Sequence, residues 1–354
     1  MPDLFINYER DITCGVQDLL KASNLRNQLH SGMKVSIKPN MVLASPPSSG
    51  ATTHAEVVEG LIIFLKDCGV TDIEIIESSW VGDDTKRAYH VCGYDKLSKR
   101  YGIALFDLKD DKIVKINSGE YTFEVCRKSV ETDFLINVPV LKAHCQTNMT
   151  CCLKNMKGCI SDREKRRFHA LGLHRPIAYL NKAVKTHFCL VDGICGDLTF
   201  EEGGNPVQRD MLLAGSDPLI MDSYCAGLIG YMPEEIEYLS IAHEIGVGRL
   251  FDESIVIEEL NVSKKPIAKI HASGGAVRRL AAYINEDQAC SSCYAALIHA
   301  LYHEKSLRKK INIGQGFRGK KGIIGCGNCT NGCEKYVPGC PPTAADIMSF
   351  LREL

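Results

Sequence analysis

Residues 133–144 read DFLINVPVLKAH, and the fold turns on how these twelve positions are understood. Phe134 to Val138 is an apolar run too short for a helix, and it does not alternate as a half-exposed strand would. Strands buried on both faces read this way, and they belong to parallel sheets covered by helices on each side. Pro139 ends the run because it has no N–H for the ladder. The same grammar recurs along the chain. Lys34–Lys38 is stopped by Pro39, Asp72–Ile76 runs into Glu77-Ser-Ser79, and Phe188–Asp192 runs into Gly193. Asp210–Ala214 is a further strand.

Helical patterns fall between these strands. Thr53-His-Ala-Glu56 has the form of a capping box opening a helix to about Cys68. Residues 84–100 are expected as helix with a break at Gly93, then short strands near 103–106, 112–116 and 121–126 as a meander. Helices are expected over 147–158, 162–171 and 176–187, from Asp217-Pro218 to about Gly230, and over 234–245. Strand–helix units at this spacing predict an α/β domain over residues 1–284, with a mostly parallel sheet and flanking helices.

In such sheets ligands bind beyond the carboxyl ends of the strands. Those ends carry Lys38 and Asn40, Glu77, Lys142 and His144, and Asp192. From residue 142 to 175 there are eight basic residues against two acidic ones, Asp162 and Glu164. Lys154 and Lys157, three apart, share one helix face, with Thr150 a turn before Lys154. Together these residues predict a cleft for a small anionic ligand. Lys38, Asn40, Lys154, Asn155 and Asp192 are the expected binding groups, and Lys142, His144 and Glu77 the expected catalytic ones, because each stands where a titratable group could be desolvated. Arg163–Arg167 reads as a solvated helix face.

Seventeen cysteines, an odd number, argue for a reducing compartment rather than a disulfide framework. Such use of thiols suits an organism living away from oxygen. Eleven are scattered and read as small buried hydrophobes. Six crowd together late: Cys290-Ser-Ser-Cys293, then CGNCTNGCEKYVPGCPP at 326–342 with Cys326, Cys329, Cys333 and Cys340. Six thiols exceed the four that zinc takes, and a cysteine directly before proline occurs in ferredoxin-type motifs. Residues 285–354 are therefore expected to form a small cysteine-rich iron–sulfur domain. One 4Fe–4S cluster on Cys290, Cys293, Cys329 and Cys340 is the first expectation. Cys326 and Cys333 are spare, or ligands of a second or larger cluster. A zinc site remains the alternative.

Net charge is −1 and the sequence pI about 6.8, so no global field draws the chain to nucleic acid or an anionic membrane. The longest apolar runs fall far short of a membrane span, and the start lacks the order of a signal peptide. A cytoplasmic protein without nucleic-acid or membrane partners is expected. Neither phosphate-binding glycine fingerprint occurs, nor does the G-x-S-x-G of serine hydrolases.

Several stretches resemble a known family. Ser36-Ile-Lys-Pro-Asn40, Thr53-His-Ala-Glu-Val-Val58, Ile76-Glu-Ser-Ser79, residues 133–144, and Met149-Thr-Cys-Cys-Leu-Lys-Asn-Met-Lys-Gly158 are similar to motifs of domain-of-unknown-function family 362. So are Asp192-Gly193 and Ala214-Gly-Ser-Asp217, the resemblance covering roughly residues 30–230. It implies an α/β fold and association with iron–sulfur proteins, many of whose members carry a ferredoxin-like segment; here a split arrangement takes its place. The expected function is a redox enzyme acting on a small anion or cofactor. The alternatives are a non-catalytic electron carrier or cluster-delivery protein docking a redox partner, and a zinc-stabilised binding protein.

Overall fold

The computed structural model describes residues 2–198, 201–266, 279–304 and 310–354. Eight strands make one sheet: β1 (Leu4–Asn7), β2 (Lys34–Pro39), β3 (Asp72–Glu77), β4 (Ala104–Asp107), β5 (Phe134–Val138), β6 (Phe188–Asp197), β7 (Pro206–Gly215) and β8 (Ile257–Leu260). Their spatial order is β8-β1-β7-β6-β5-β2-β3-β4. From β6 through β4 every pairing is parallel. β7 runs antiparallel to both β6 and β1, and β1 pairs β8 in parallel. The sheet is thus mostly parallel with an antiparallel insert, because no helix separates β6 from β7.

β5 shows why its sequence carries no alternation. Phe134, Ile136 and Val138 enter one core with Val16, Leu19, Val58 and Leu61 of the helices Ile12–Ala22 and Ala55–Asp67. Leu135 enters the other, with Ile177, Leu180, Ile220 and Ala226 of the helices His174–Ala183 and Pro218–Leu228. Successive side chains point to opposite faces, and both faces are covered.

Three local expectations fail. The strands near 103–126 are no meander: Ala104–Asp107 is the parallel edge of the main sheet, and only Ile113–Ser118 and Tyr121–Cys126 pair, as an antiparallel hairpin. Residues 147–158 are not one helix. Lys142–His144 and Asn148–Thr150 pair as an antiparallel hairpin, followed by a short helix Cys152–Asn155 that tightens over Met156–Cys159. The His144 ring accepts the backbone N–H groups of Gln146 and Thr147, and Asn148 sits at φ 65°, so a turn replaces the first helical turn. Thr53 is not a helix cap either. Its hydroxyl donates to Val138 O and accepts from Asn40 N, stitching strand ends, and the helix begins after His54.

Beyond residue 284 a second sheet is parallel throughout: β9 (Ile284–Glu286), β10 (Ile311–Ile313), β11 (Gly322–Cys326) and β12 (Cys333–Val337), in that order. Helices Ser291–His303 and Ala344–Arg352 contribute Leu297, Ile298, Leu301 and Ile347 to its core. No helix among the described residues is long and apolar enough to cross a membrane.

Candidate functional site

The carboxyl ends of β2, β3 and β5 meet the short helix Cys152–Asn155 in a buried polar network. Lys38 Nζ donates to both oxygens of Glu77, at 3.0 and 2.9 Å, and to Pro39 O at 3.2 Å. Asn155 is the hub. Its Oδ1 accepts from Asn40 Nδ2 at 2.7 Å and Lys38 Nζ at 3.3 Å, while its Nδ2 donates to Asn137 Oδ1 at 2.7 Å. Asn137 Nδ2 in turn donates to Cys152 O at 2.8 Å. Gly158 is required here, since a Cβ on it would collide with Glu77 and Lys38.

A second cluster lies on the hairpin. His144 Nδ1 accepts two backbone N–H groups, from Gln146 at 3.0 Å and Thr147 at 3.1 Å, so the ring proton must be on Nε2. That Nε2 faces Glu201 Oε2 at 2.7 Å, and Lys154 Nζ reaches the same oxygen at 2.9 Å. Burial, outweighing the Glu201 carboxylate, pushes His144 down to about 4. Burial alone would raise Glu201, but His144, Lys154 and Lys142 hold it well below the usual carboxylate range. Lys142 is fully buried and donates to two carbonyls among the described residues, Ala51 O at 2.6 Å and Glu201 O at 2.9 Å. Burial brings it to about 8.

Between the two clusters lies a cavity of about 100 Å³. Of the residues expected from sequence, Asn40, Glu77, Lys142, Lys154, Asn155 and Cys290 line it. Lys38 lies beneath it, bound to Glu77, and His144 stands behind Glu201. Asp192 is not brought there: its Oδ2 accepts from the His54 backbone N–H and faces His54 Nδ1, both at 2.8 Å. The wall also contains Trp80, Lys157, Lys165, Arg166, His169, Glu201, Ser291 and Ser292. The expected solvated face at Arg163–Arg167 is therefore corrected in part. Lys165 is buried and donates to Ser78 Oγ at 2.6 Å and Ser79 O at 2.7 Å, while Arg166 is exposed at the cavity.

The wall carries five cationic side chains against two carboxylates, and both carboxylates already hold a lysine. The Lys157 ammonium and the Arg166 guanidinium have no hydrogen-bond or ion-pair partner among the described residues; Lys157 Nζ stands 6.0 Å over the Phe168 ring. Burial, reinforced by Lys154, pushes Lys157 down to about 7. Chemically the cavity is an anion receptor with unspent donors. Glu201 and Lys165 were missed in the sequence, the first because nothing nearby marks a strand end. The second was missed because its neighbours Arg163, Arg166 and Arg167 are exposed.

Five of the six late cysteines, Cys290, Cys293, Cys326, Cys329 and Cys340, line a second cavity of about 30 Å³, together with Arg166 and Arg318. Cys333 does not: its sulfur accepts from Asn312 Nδ2 at 3.7 Å, on the side of Gly322 and Gly325. No three of the six thiols come within 4.8 Å of one another; among the described residues only Cys151, Cys152 and Asp222 form such a group. Cys290 and Arg166 stand in the walls of both cavities.

The family model "Domain of unknown function (DUF362)" matches residues 35–227, which span β2 to the helix Pro218–Leu228 and so include every strand-end residue above. The chain belongs to this family. A relative, "Thylakoid-associated protein sll1697" of Synechocystis sp., is 22% identical over 237 residues, covering 62% of this chain and 70% of the relative. Among solved structures the chain is similar to the lactate racemase apoprotein of Thermoanaerobacterium thermosaccharolyticum, at 17% identity and a TM-score of 0.43. It is also similar to a Thermotoga maritima protein from a structural-genomics programme, at 11% and 0.39. The matches cover 67% and 66% of this chain, and 58% of each solved chain. The family match ends well before Cys290, so the six late cysteines lie outside it.

Proposed function

We propose that this member of family DUF362 is an iron–sulfur redox enzyme acting on a small anionic substrate in the larger cavity. The observation that carries the reading is Cys290, which lines both the cysteine cavity and the cationic one. A group held by that thiol lies against whatever fills the larger cavity, and electrons need no further carrier between them.

Cys290, Cys293, Cys329 and Cys340 would hold a 4Fe–4S cluster, with Cys326 as a fifth thiol on the same cavity. Six late thiols exceed the four that one zinc ion takes, and five of them share this cavity, which favours a cluster. When bound, the cluster supplies one-electron transfer. Lys157 and Arg166 bind the anion, and Lys154, fixed by Glu201 and Thr150, orients it. Lys142 is the candidate to hold or release a proton at its Nζ. His144 acts through Glu201 and is a positioning residue. Glu77 is committed to Lys38 and serves as a wall.

Anaerobic purification with iron, sulfide and zinc analysis tests the metal. A brown protein with acid-labile sulfide is expected; a colourless one carrying zinc at the late cysteines overturns the reading. A thermal-shift series with phosphate, sulfate and small carboxylates tests the cavity. Wild type should be stabilised, and Lys157→Ala should not.

A further inference from the structure

We propose a second metal site, separate from the late cysteines and from the redox reading: Cys151, Cys152 and Asp222 form a buried site for a thiophilic divalent ion of zinc's chemistry, with the adjoining Cys225 thiol as the candidate fourth ligand. It lies beneath the larger cavity, at the root of the helix that carries Lys154 and Asn155.

The geometry comes first. Cys151, Cys152 and Asp222 are fully buried, and one donor atom from each lies within 4.8 Å of the others. The two sulfurs are 3.9 Å apart. Two thiolates sharing a tetrahedral ion at about 2.3 Å stand about 3.8 Å apart, so this pair needs almost no movement. Asp222 and Cys225 are three apart on the helix Pro218–Leu228 and share a face. The Cys225 thiol adjoins that of Cys151 but lies outside the group of three, so it would have to shift to become a fourth ligand.

The carboxylate is already aimed. Asp222 Oδ1 accepts the N–H of Cys152 at 2.6 Å and Oδ2 that of Leu153 at 2.9 Å. Each oxygen keeps a further lone pair for an ion, and such outer hydrogen bonds fix a ligand's direction. The charge around the site points the same way. Arg209 is buried, and among the described residues its hydrogen bond is from Nη2 to Leu141 O at 2.8 Å, with Nε and Nη1 unpartnered there. Burial pushes this guanidinium down, while Cys225 and Cys151 act in the opposite direction. A buried cation without a carboxylate is costly unless an anionic group lies nearby. Deprotonated thiolates around a divalent ion leave a net negative site, and Arg209 offsets part of it. The other buried thiols of this face, such as Cys126 and Cys159, have no such carboxylate.

The three grouped ligands and Cys225 all come from the chain and are shut off from solvent, so the site is structural rather than catalytic. It would tie the short helix Cys152–Asn155 to Pro218–Leu228, holding Lys154 and Asn155 at the strand ends.

The test uses the full chain with Cys290→Ser and Cys329→Ser, purified anaerobically in the presence of zinc. About one zinc per chain is expected to remain, with X-ray absorption at the zinc edge reading sulfur and oxygen neighbours without altering the site. Cys151→Ser added to that double variant should lose the zinc. Zinc that disappears with Cys290 and Cys329, or that persists after Cys151→Ser, overturns the proposal. So does wild-type protein, refolded with excess zinc or cobalt, that shows no thiolate-bound ion. If Cys151→Ser does not fold, the absorption spectrum of the Cys290→Ser, Cys329→Ser protein decides: only nitrogen and oxygen neighbours would sink the site. None of these outcomes depends on whether the late cysteines carry iron.

Discussion

His144 Nε2 and Lys154 Nζ converge on one oxygen of Glu201, at 2.7 and 2.9 Å, while the far side of the imidazole holds two backbone N–H groups. The histidine tautomer is thereby fixed, with its proton on Nε2 beside Glu201.

A pH dependence of stability follows. His144 falls from 6.5 to about 4 in the fold, so on acidification the unfolded chain takes up its proton first. The stabilisation is fully present above about 6.5 and is lost as pH falls toward about 4. Glu201, held low, acts in the same direction. The melting temperature should drop across this window. His144→Asn, whose side-chain oxygen can accept the same N–H groups, should flatten the drop in a differential scanning series.

Breaking the ion pair at the strand ends should be costly. Lys38 is fully buried and grips Glu77. Lys38→Met strands a buried carboxylate and is expected to cost about 3–5 kcal/mol. The double variant Lys38→Met, Glu77→Leu should recover much of it. Urea midpoints of the two proteins check this, and equal losses would contradict the pairing.

Removing the unpartnered cations should separate binding from folding. Lys157→Ala or Arg166→Ala each deletes a charge-assisted contact to an anion, worth about 1.5–3 kcal/mol, or roughly tenfold to a hundredfold in affinity. The ligand-free protein should melt no lower than wild type, because like charges have been thinned. Calorimetric titration with whichever anion stabilises the wild type measures both.

The late cysteines should not be equivalent. Cys333 faces Asn312 and two glycines, away from the cavity that the other five share. Cys333→Ser should keep full iron content after anaerobic purification. Cys290→Ser, Cys329→Ser and Cys340→Ser should each lose most of it.

Much of this was legible in the chain because strand ends are punctuated. Pro39 and Pro139 stop their strands, and the polar residues that follow land where a parallel sheet binds ligands. Lys38, Asn40 and Glu77 converge as their positions at strand ends imply, and Asn137 within β5 and Asn155 on the short helix join them there. Asp192 carried the same punctuation and went elsewhere, because the adjacent helix start offered it His54 and a backbone N–H. Residues 147–158 were misread since a helical apolar spacing says nothing of an imidazole that captures two N–H groups and forces a turn. Glu201 could not be found by pattern, for it comes from a loop and acts only through His144 and Lys154. The pairing of Cys151 with Asp222 joins residues 71 apart, a separation that local sequence does not encode.

Cys290, in the wall of both cavities, carries a thermodynamic obligation. If an anion in the larger cavity alters the ease of reducing a centre held by that thiol, then reducing the centre must alter the affinity for the anion by the same factor. For the proposed cluster, a potential measured on the anion-free protein would then differ from the working potential. The difference between the two is the coupling free energy that a single shared side chain imposes.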